Sequence, residues 1–295
     1  MRVAVTGSSG LIGTAVCAAF AGDGHELVRL VRRAAVDSDE AQWDIAAGTV
    51  DESRLEDVGA IVHLAGENIG KRWTEETRRR AWNSRVDGTR LIAETAARLP
   101  SRPVLVCASA VGYYGLHGDE KLDETSRRGS GFLAELVEAW EAAAEPARSA
   151  GLRTVHLRQG LVLSSRGGAL ERMLLPFKLG LGGRIGSGRQ WWSWVSLEDA
   201  VGAYRFAIGN PLEGAVNVTA PGAVRNGEFV RALGRALHRP ALFPVPSLAV
   251  KAAFGQMGEE MLLGGQRVLP AKLEAAGFVF AHPDVDSGLA SALAS

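Results

Sequence analysis

The chain has little sulfur, no excess charge and no long apolar run. Two cysteines in 295 residues, Cys17 and Cys107, are too few for a disulfide framework. Each sits inside an apolar pattern, so both read as small buried hydrophobes in a reducing compartment. The six histidines lack ligand spacing, and no metal is expected. Lys plus Arg and Asp plus Glu are both 33, so the formal net charge is zero. No long-range field then draws in nucleic acid or an anionic membrane. No apolar run approaches the roughly 20 residues of a membrane span. The first strand-like run starts straight after Met1, which leaves no room for a signal peptide and gives the expectation of a cytoplasmic protein.

What is present is concentrated at the start, in MRVAVTGSSGLIGTAV. A short apolar run (Val3, Ala4, Val5) meets a turn carrying Gly7, Gly10 and Gly13, and an amphipathic stretch follows. Strand, glycine turn and helix in that order suit a pyrophosphate. Glycine lets backbone N–H groups approach phosphate oxygens, and the helix start adds unpaired donors and the positive end of its dipole. Residues Gly7, Ser8, Ser9, Gly10, Leu11, Ile12 and Gly13 are therefore candidate contacts of a dinucleotide.

Short apolar runs then alternate with helical patterns. The spacing predicts strands at 2–6, 26–31, 60–64, 103–108, 153–158 and 214–219, and helices at 11–22, 74–98, 131–150 and 197–209. Further helices are expected at 226–238, 247–254 and 270–276. This alternation argues for an α/β fold, a doubly wound parallel sheet with helices on both faces. The glycine-rich stretch 160–190 reads as a mobile loop or lid beside a pocket. Residues 1–160 with 191–225 are assigned to a dinucleotide-binding core, and 161–190 with 226–295 to a smaller substrate lobe.

The second strand selects the cofactor. Its end should meet the adenosine ribose, where an acidic residue would favour NAD. Here it ends in Leu30-Val31-Arg32-Arg33. A planar guanidinium offers two parallel donors to a 2′-phosphate, worth about 1.5–3 kcal/mol, so NADP(H) is expected over NAD(H). Asp37 and Asp39 remain alternatives that would reverse the preference by reaching back.

TGSSGLIG, WDI at 43–45, HLAGENI at 63–69 and ASAVGYYG at 108–115 resemble the extended short-chain dehydrogenase/reductase superfamily. The WEAAA helix at Trp140–Ala144, the loop Leu175–Gly188 and a distinct segment from about residue 246 to the end narrow the likeness to its atypical, sugar-epimerase-like branch. The resemblance implies a Rossmann-type core with a smaller C-terminal substrate lobe. By position it implies that Arg32 meets the 2′-phosphate, that Asp44 meets the adenine amino group or merely caps a helix, and that Leu64, Ala65 and Gly66 lie along the ribose. It sets Arg85 where related enzymes carry an asparagine-bearing helix, and Ser109 at the active-site serine.

One part of that pattern is missing. Ordinary members place a lysine one helical turn after a tyrosine, so that the ammonium favours phenolate. None of Tyr113, Tyr114 and Tyr204 has lysine four residues on. Phe132, Leu133, Leu136 and Val137 stand where that couple belongs. Three alternatives stay open: Tyr113 or Tyr114 is a neutral proton donor near Ser109; Glu67 or another group supplies the proton; or the chain binds cofactor without turnover.

Trp191, Trp192 and Trp194 are candidates for an apolar pocket wall, and equally for core anchors. Arg158 and Arg189 are candidates for an anionic substrate, Arg33 and Arg80 for cofactor phosphate. The expected function is hydride transfer with NADP(H) on a small carbonyl or sugar-nucleotide-like substrate, the alternative a non-catalytic NADPH sensor or interaction protein. Substrate and oligomeric state are not written in the sequence.

Overall fold

Val3, Ala4, Val5, Ala60, Val62, Val106, Val155 and Val216 have no exposed surface at all, as parallel strands covered by helices on both faces require. The computed structural model describes residues 1–294. In chain order it contains β1 (Arg2–Thr6), α1 (Leu11–Gly22), β2 (Glu26–Val31), β3 (Glu40–Asp44), β4 (Thr49–Val50), β5 (Ala60–His63), α2 (Glu75–Arg98) and β6 (Val104–Ala110). Then come β7 (Lys121–Leu122), α3 (Phe132–Ala142), α4 (Glu145–Ser149), β8 (Thr154–Gln159), β9 (Leu161–Leu163), α5 (Gly168–Lys178), β10 (Trp191–Trp192) and β11 (Trp194–Ser196). The rest is α6 (Leu197–Gly209), β12 (Gly214–Val218), β13 (Val224–Arg225), α7 (Asn226–Ala236), α8 (Ser247–Phe254), β14 (Arg267–Val268), α9 (Ala271–Ala275) and α10 (Val285–Ala294).

The main sheet has eight strands in the order β12-β8-β6-β5-β1-β2-β3-β4. All neighbours are parallel except β4, which runs antiparallel on the edge. From β1 the chain builds outward through β2 and β3, then returns to the other side of β1 with β5. That reversal opens a crevice at the carboxyl ends of β1 and β5, where doubly wound sheets bind ligands. One apolar cluster packs α1 and α6 on one face of the sheet, and a second packs α2 and α4 on the other. A third cluster, with Leu163, Leu170, Phe177, Trp192, Trp194, Phe229 and Leu289, lies off the sheet among α5, α7 and α10.

Three expectations need correction. The stretch 160–190 is not one loop: Leu170, Leu174 and Phe177 recur at helical spacing, and α5 buries them. The single helix expected at 131–150 is two, because the chain turns at Ala143–Ala144 and Pro146 fits only the first turn of a new helix. Strand β3, the edge strand β4 and helix α10 were not anticipated. The lobe side also caps the core: Glu260 accepts from the Phe132 and Leu133 amides at 3.2 and 3.0 Å, at the otherwise uncapped start of α3.

Candidate active site at the switch point

The glycine turn closes on itself with no room to spare. Gly7 has φ +66°, and a Cβ there would come within 2.9 Å of the Leu64 and Ala65 backbone. A Cβ on Gly13 would stand 2.1 Å from the Gly7 carbonyl oxygen. Gly10 N–H donates to that same oxygen at 3.0 Å. Helix α1 starts after Gly10 with no side-chain cap and no acidic residue in its first turn. Ser8 is half-buried and Ser9 exposed at the turn, while Leu11 packs near Gly167 and Ile12 against the α1–α6 cluster. A cradle that any Cβ would fill, at an uncapped helix start, fits a pyrophosphate.

The two arginines after β2 part company. Arg33 is committed to Glu40, with N–H donors 2.6 and 2.8 Å from its two carboxylate oxygens. That guanidinium, followed by the Val36 amide, holds the Glu40 carboxyl down to about 2. Arg33 is thus a strap between β2 and β3, which corrects its reading as a phosphate contact. Asp39 is paired with Arg29 at 3.0 Å and Asp37 at 3.5 Å, so neither reaches back to the ribose position. Arg32 is exposed and, among the described residues, makes no ion pair or side-chain hydrogen bond. Asp44 caps its own turn: Oδ1 accepts from the Ala46 and Ala47 amides at 2.8 and 3.1 Å. Its second oxygen has no partner in that turn.

Across the crevice, Thr6 ties β1 to the loop after β5. Its Oγ1 accepts from the Leu64 and Ala65 amides at 3.0 and 3.2 Å. With both lone pairs used, its own proton goes to His63 Nδ1, 2.8 Å away. His63 then carries its ring proton on Nε2, which has no hydrogen-bond partner among the described residues. Complete burial pushes this imidazole down to about 4, so it is neutral. Leu64, Ala65 and Gly66 extend from this anchor along the crevice. Arg85 lies against Gly66 and donates to the Glu67 carbonyl at 3.0 Å, while Ser84 accepts from the Glu67 amide at 3.0 Å. Desolvation lowers the Arg85 guanidinium to about 10, and it rests over the Trp140 ring. Arg85 therefore shapes the loop instead of facing solvent. Arg80 is exposed on α2 and pairs with Glu76 at 3.4 Å, a solvated helix face and not a phosphate grip.

Ser109, Arg158 and Asn217 stand side by side in register on three adjacent parallel strands. One hydrogen-bonded chain joins them. Ser109 Oγ donates to Glu141 Oε1 at 2.6 Å, and Arg158 grips both Glu141 oxygens at 2.7 Å. Arg158 Nη1 also donates to the Tyr114 hydroxyl at 3.1 Å, which in turn donates to Asn217 Oδ1 at 2.7 Å. Arg158 and Tyr114 are buried. Burial pushes the Tyr114 phenol up to about 12. Arg158 is thus a buried structural cation and not a seat for an anionic substrate. Tyr114 holds its proton for Asn217, and Ser109 spends its own on Glu141. Tyr113 differs. Its ring lies 3.4 Å from the Arg158 guanidinium carbon and packs edge-on against Tyr114 at 5.4 Å, and its hydroxyl makes no hydrogen bond within the described residues. In α3, Leu136 and Val137 are buried apolar residues, so no ammonium stands where a Tyr–Lys couple would need one.

The three tryptophans do not line one pocket. Trp194 is fully buried and donates to the Gly222 carbonyl at 2.8 Å. Trp192 packs on Phe229 with ring centroids 5.0 Å apart. Both are core anchors, which removes them from the candidate pocket. Trp191 is half-buried and lines a cleft with Arg189, Arg225 and Gly264. Thr6, His63, Glu141 and Asn217 were missed as site-shaping residues. Thr6 directly precedes the glycine turn, which was a usable signal; Asn217 gave none. No group of three or more potential metal ligands occurs among the described residues. No helix of those residues is long and apolar enough to cross a membrane.

The NAD dependent epimerase/dehydratase family model matches residues 3–219, and a model for a domain of unknown function, DUF1731, matches 245–292. An epimerase family protein of Mycobacterium bovis is 47% identical over 97% of this chain and 96% of its own. The human epimerase family protein SDR39U1 is 39% identical over 98% of each chain. The crystal structure of human SDR39U1 (isoform 2) with NADPH superposes with a TM-score of 0.90 at 36% identity, covering all of both chains. A UDP-N-acetylglucosamine 4-epimerase from Bacillus cereus, 16% identical with a TM-score of 0.78, shares the fold. With its parallel sheet, glycine turn and this extent of likeness, the chain belongs to the NAD dependent epimerase/dehydratase family.

Proposed function

We propose that this chain binds NADP(H) at the crevice between β1 and β5 and moves hydride to or from a small carbonyl or sugar-nucleotide-like substrate. One observation carries the cofactor reading: a glycine turn closed to any Cβ follows β1, and just past the end of the neighbouring strand β2 stands the exposed Arg32, with no ion pair or side-chain hydrogen bond among the described residues. The human relative solved with NADPH supports it. Gly7 to Gly13 would hold the pyrophosphate, Arg32 the 2′-phosphate, the free oxygen of Asp44 the adenine amino group, and Leu64 to Gly66 the ribose side. We assign the activity to the cytoplasm, in keeping with free thiols at Cys17 and buried Cys107.

The bound nicotinamide supplies or accepts the hydride. The chain's residues supply position and a proton. Tyr113 gives its phenolic proton to the substrate oxygen as hydride reaches the carbonyl carbon, and takes it back in the reverse direction. Arg158 holds the Tyr113 ring, and Glu141 with Ser109 holds Arg158. A second reading, NADPH binding without turnover, is favoured by the buried leucine and valine where a lysine would assist a tyrosine.

Single-turnover absorbance of the reduced nicotinamide, measured against a carbonyl panel, separates the two. The enzyme reading predicts oxidation in the wild type that Tyr113→Phe abolishes while NADPH affinity stays unchanged. Tight NADPH binding with no oxidation by any carbonyl would leave the sensor reading.

A further inference from the structure

The chain's zero net charge is unevenly spread. No Asp or Glu occurs from 172 to 197 or from 229 to 258, and these two stretches hold eight Lys and Arg. The fold lays part of one along part of the other. Phe243 N–H donates to the Gly182 carbonyl at 3.0 Å, Val245 N–H to the Arg184 carbonyl at 2.9 Å, and Arg239 Nε to the Lys178 carbonyl at 3.1 Å. On this ribbon Leu179, Leu181, Leu242 and Phe243 are each more than half exposed. Helix α8 continues it with the sequence SLAVKAAF, and Val250 is its one buried residue. Leu248, in its first turn, is 78% exposed. A helix apolar around its whole circumference is ordinarily covered, and a contiguous exposed apolar patch marks a contact where a lone exposed leucine does not. Lys178, Arg184 and Arg239 flank the ribbon. All three are exposed, and none has an acidic partner within ion-pair distance among the described residues. Lys251 of α8 is neutralised by Glu259 at 2.9 Å.

We infer that this face docks on an anionic lipid bilayer. Leu179, Leu181, Leu242, Phe243 and Leu248 enter the boundary between headgroups and acyl chains, and Lys178, Arg184 and Arg239 meet the lipid phosphates. Charge disfavours a second copy as the occupant. A two-fold contact sets the same patch against itself, so cations would face cations with no acid in either stretch to receive them. Hydrogen-bonding capacity disfavours a protein partner. Such interfaces carry about one hydrogen bond per 100–200 Å², and from 242 to 254 only Ser247 and Lys251 have side chains that can make one. A bilayer asks for apolar side chains to insert and cations to pair with its surface, which is what the face offers. With no net charge on the chain, the attraction acts only within a Debye length, about 10 Å at 0.1 M salt, so the contact is reversible. The inference uses none of the crevice residues and does not rest on the hydride-transfer reading.

The test is co-sedimentation of the full chain with vesicles of phosphatidylcholine alone and of phosphatidylcholine with an equimolar share of phosphatidylglycerol. The wild type should pellet with the anionic vesicles, stay in the supernatant with the neutral ones, and be released by added sodium chloride. The variant Leu242→Ser/Phe243→Ser/Leu248→Ser should lower the partition coefficient at least about tenfold. Lys178→Gln/Arg184→Gln/Arg239→Gln changes only exposed side chains, should weaken binding by a similar factor, and serves if the first variant does not fold. No binding to anionic vesicles, equal binding to both vesicle types, or wild-type binding by both variants overturns the inference. So does a concentration-dependent dimer in sedimentation velocity that the serine variant abolishes, since the face then belongs to a second copy.

Discussion

Arg32 and Arg33 carry the same guanidinium and are given different tasks by their surroundings. Glu40, buried at the start of β3, takes Arg33 and leaves Arg32 in solvent. The same logic reassigns Arg158. A guanidinium at the carboxyl end of a parallel strand suggests an anion site, yet its counter-charge is internal, from Glu141 at 2.7 Å. Removing one partner of a buried ion pair leaves the other uncompensated, which typically costs about 3–5 kcal/mol. Glu141→Ala should therefore lower the urea midpoint by an amount of that order. The double variant Glu141→Ala/Arg158→Met should recover much of the loss, because no bare charge is then buried. If the single variant is as stable as wild type, the chain from Ser109 to Asn217 is not a structural unit.

At the scale of elements, the glycine turn has the least tolerance. The methyl group in Gly13→Ala meets the Gly7 carbonyl oxygen at 2.1 Å, so turn or helix must move. Overpacking of this kind costs about 1–3 kcal/mol. We expect a lowered melting temperature and at least about tenfold weaker NADPH binding by calorimetry; unchanged affinity would place the pyrophosphate elsewhere. The elements that can be read in the sequence share a cause. β1, α1, β2 and α6 match their expected bounds because apolar period and end signals coincide, as at the Ser196 hydroxyl that accepts from the Asp199 amide. α5 was hidden because Gly167, Gly168 and Gly180 at its ends outweigh its apolar face. β3 was hidden by Glu40 and Gln42, polar residues whose partners come from β2 or lie in solvent. In the candidate site, positions fixed by backbone need, Gly7 and Gly13, were legible. Arg158, Trp192 and Trp194 were not, since their roles depend on partners distant in sequence, and Arg33 was not, because the fold of the β2–β3 connection sets Glu40 against it.

The molecule as a whole joins a doubly wound sheet, with an apolar cluster on each face, to a third cluster among α5, α7 and α10. The sheet also buries two histidines, which sets an acid limit on stability. Burial holds His63 at about 4 and lowers His156 as well. In the unfolded chain a histidine takes its proton near pH 6.5. Between that pH and about 4 the unfolded state binds more protons than the native one, so stability is full above about 6.5 and falls as pH drops. For His63 alone the slope reaches about 1.4 kcal/mol per pH unit. Urea midpoints measured across this window should decline in the wild type and decline less in His63→Asn; equal slopes would mean that His63 is protonated in the native state.

The central claim is that the crevice is an NADP(H) site read by Arg32. It is tested most directly by calorimetric titration of the wild type and Arg32→Ala with NADPH and with NADH. The account predicts that the wild type prefers NADPH and that Arg32→Ala loses roughly tenfold to 150-fold in NADPH affinity with little change for NADH. Equal affinities for the two coenzymes in the wild type, or no heat with either, would contradict it.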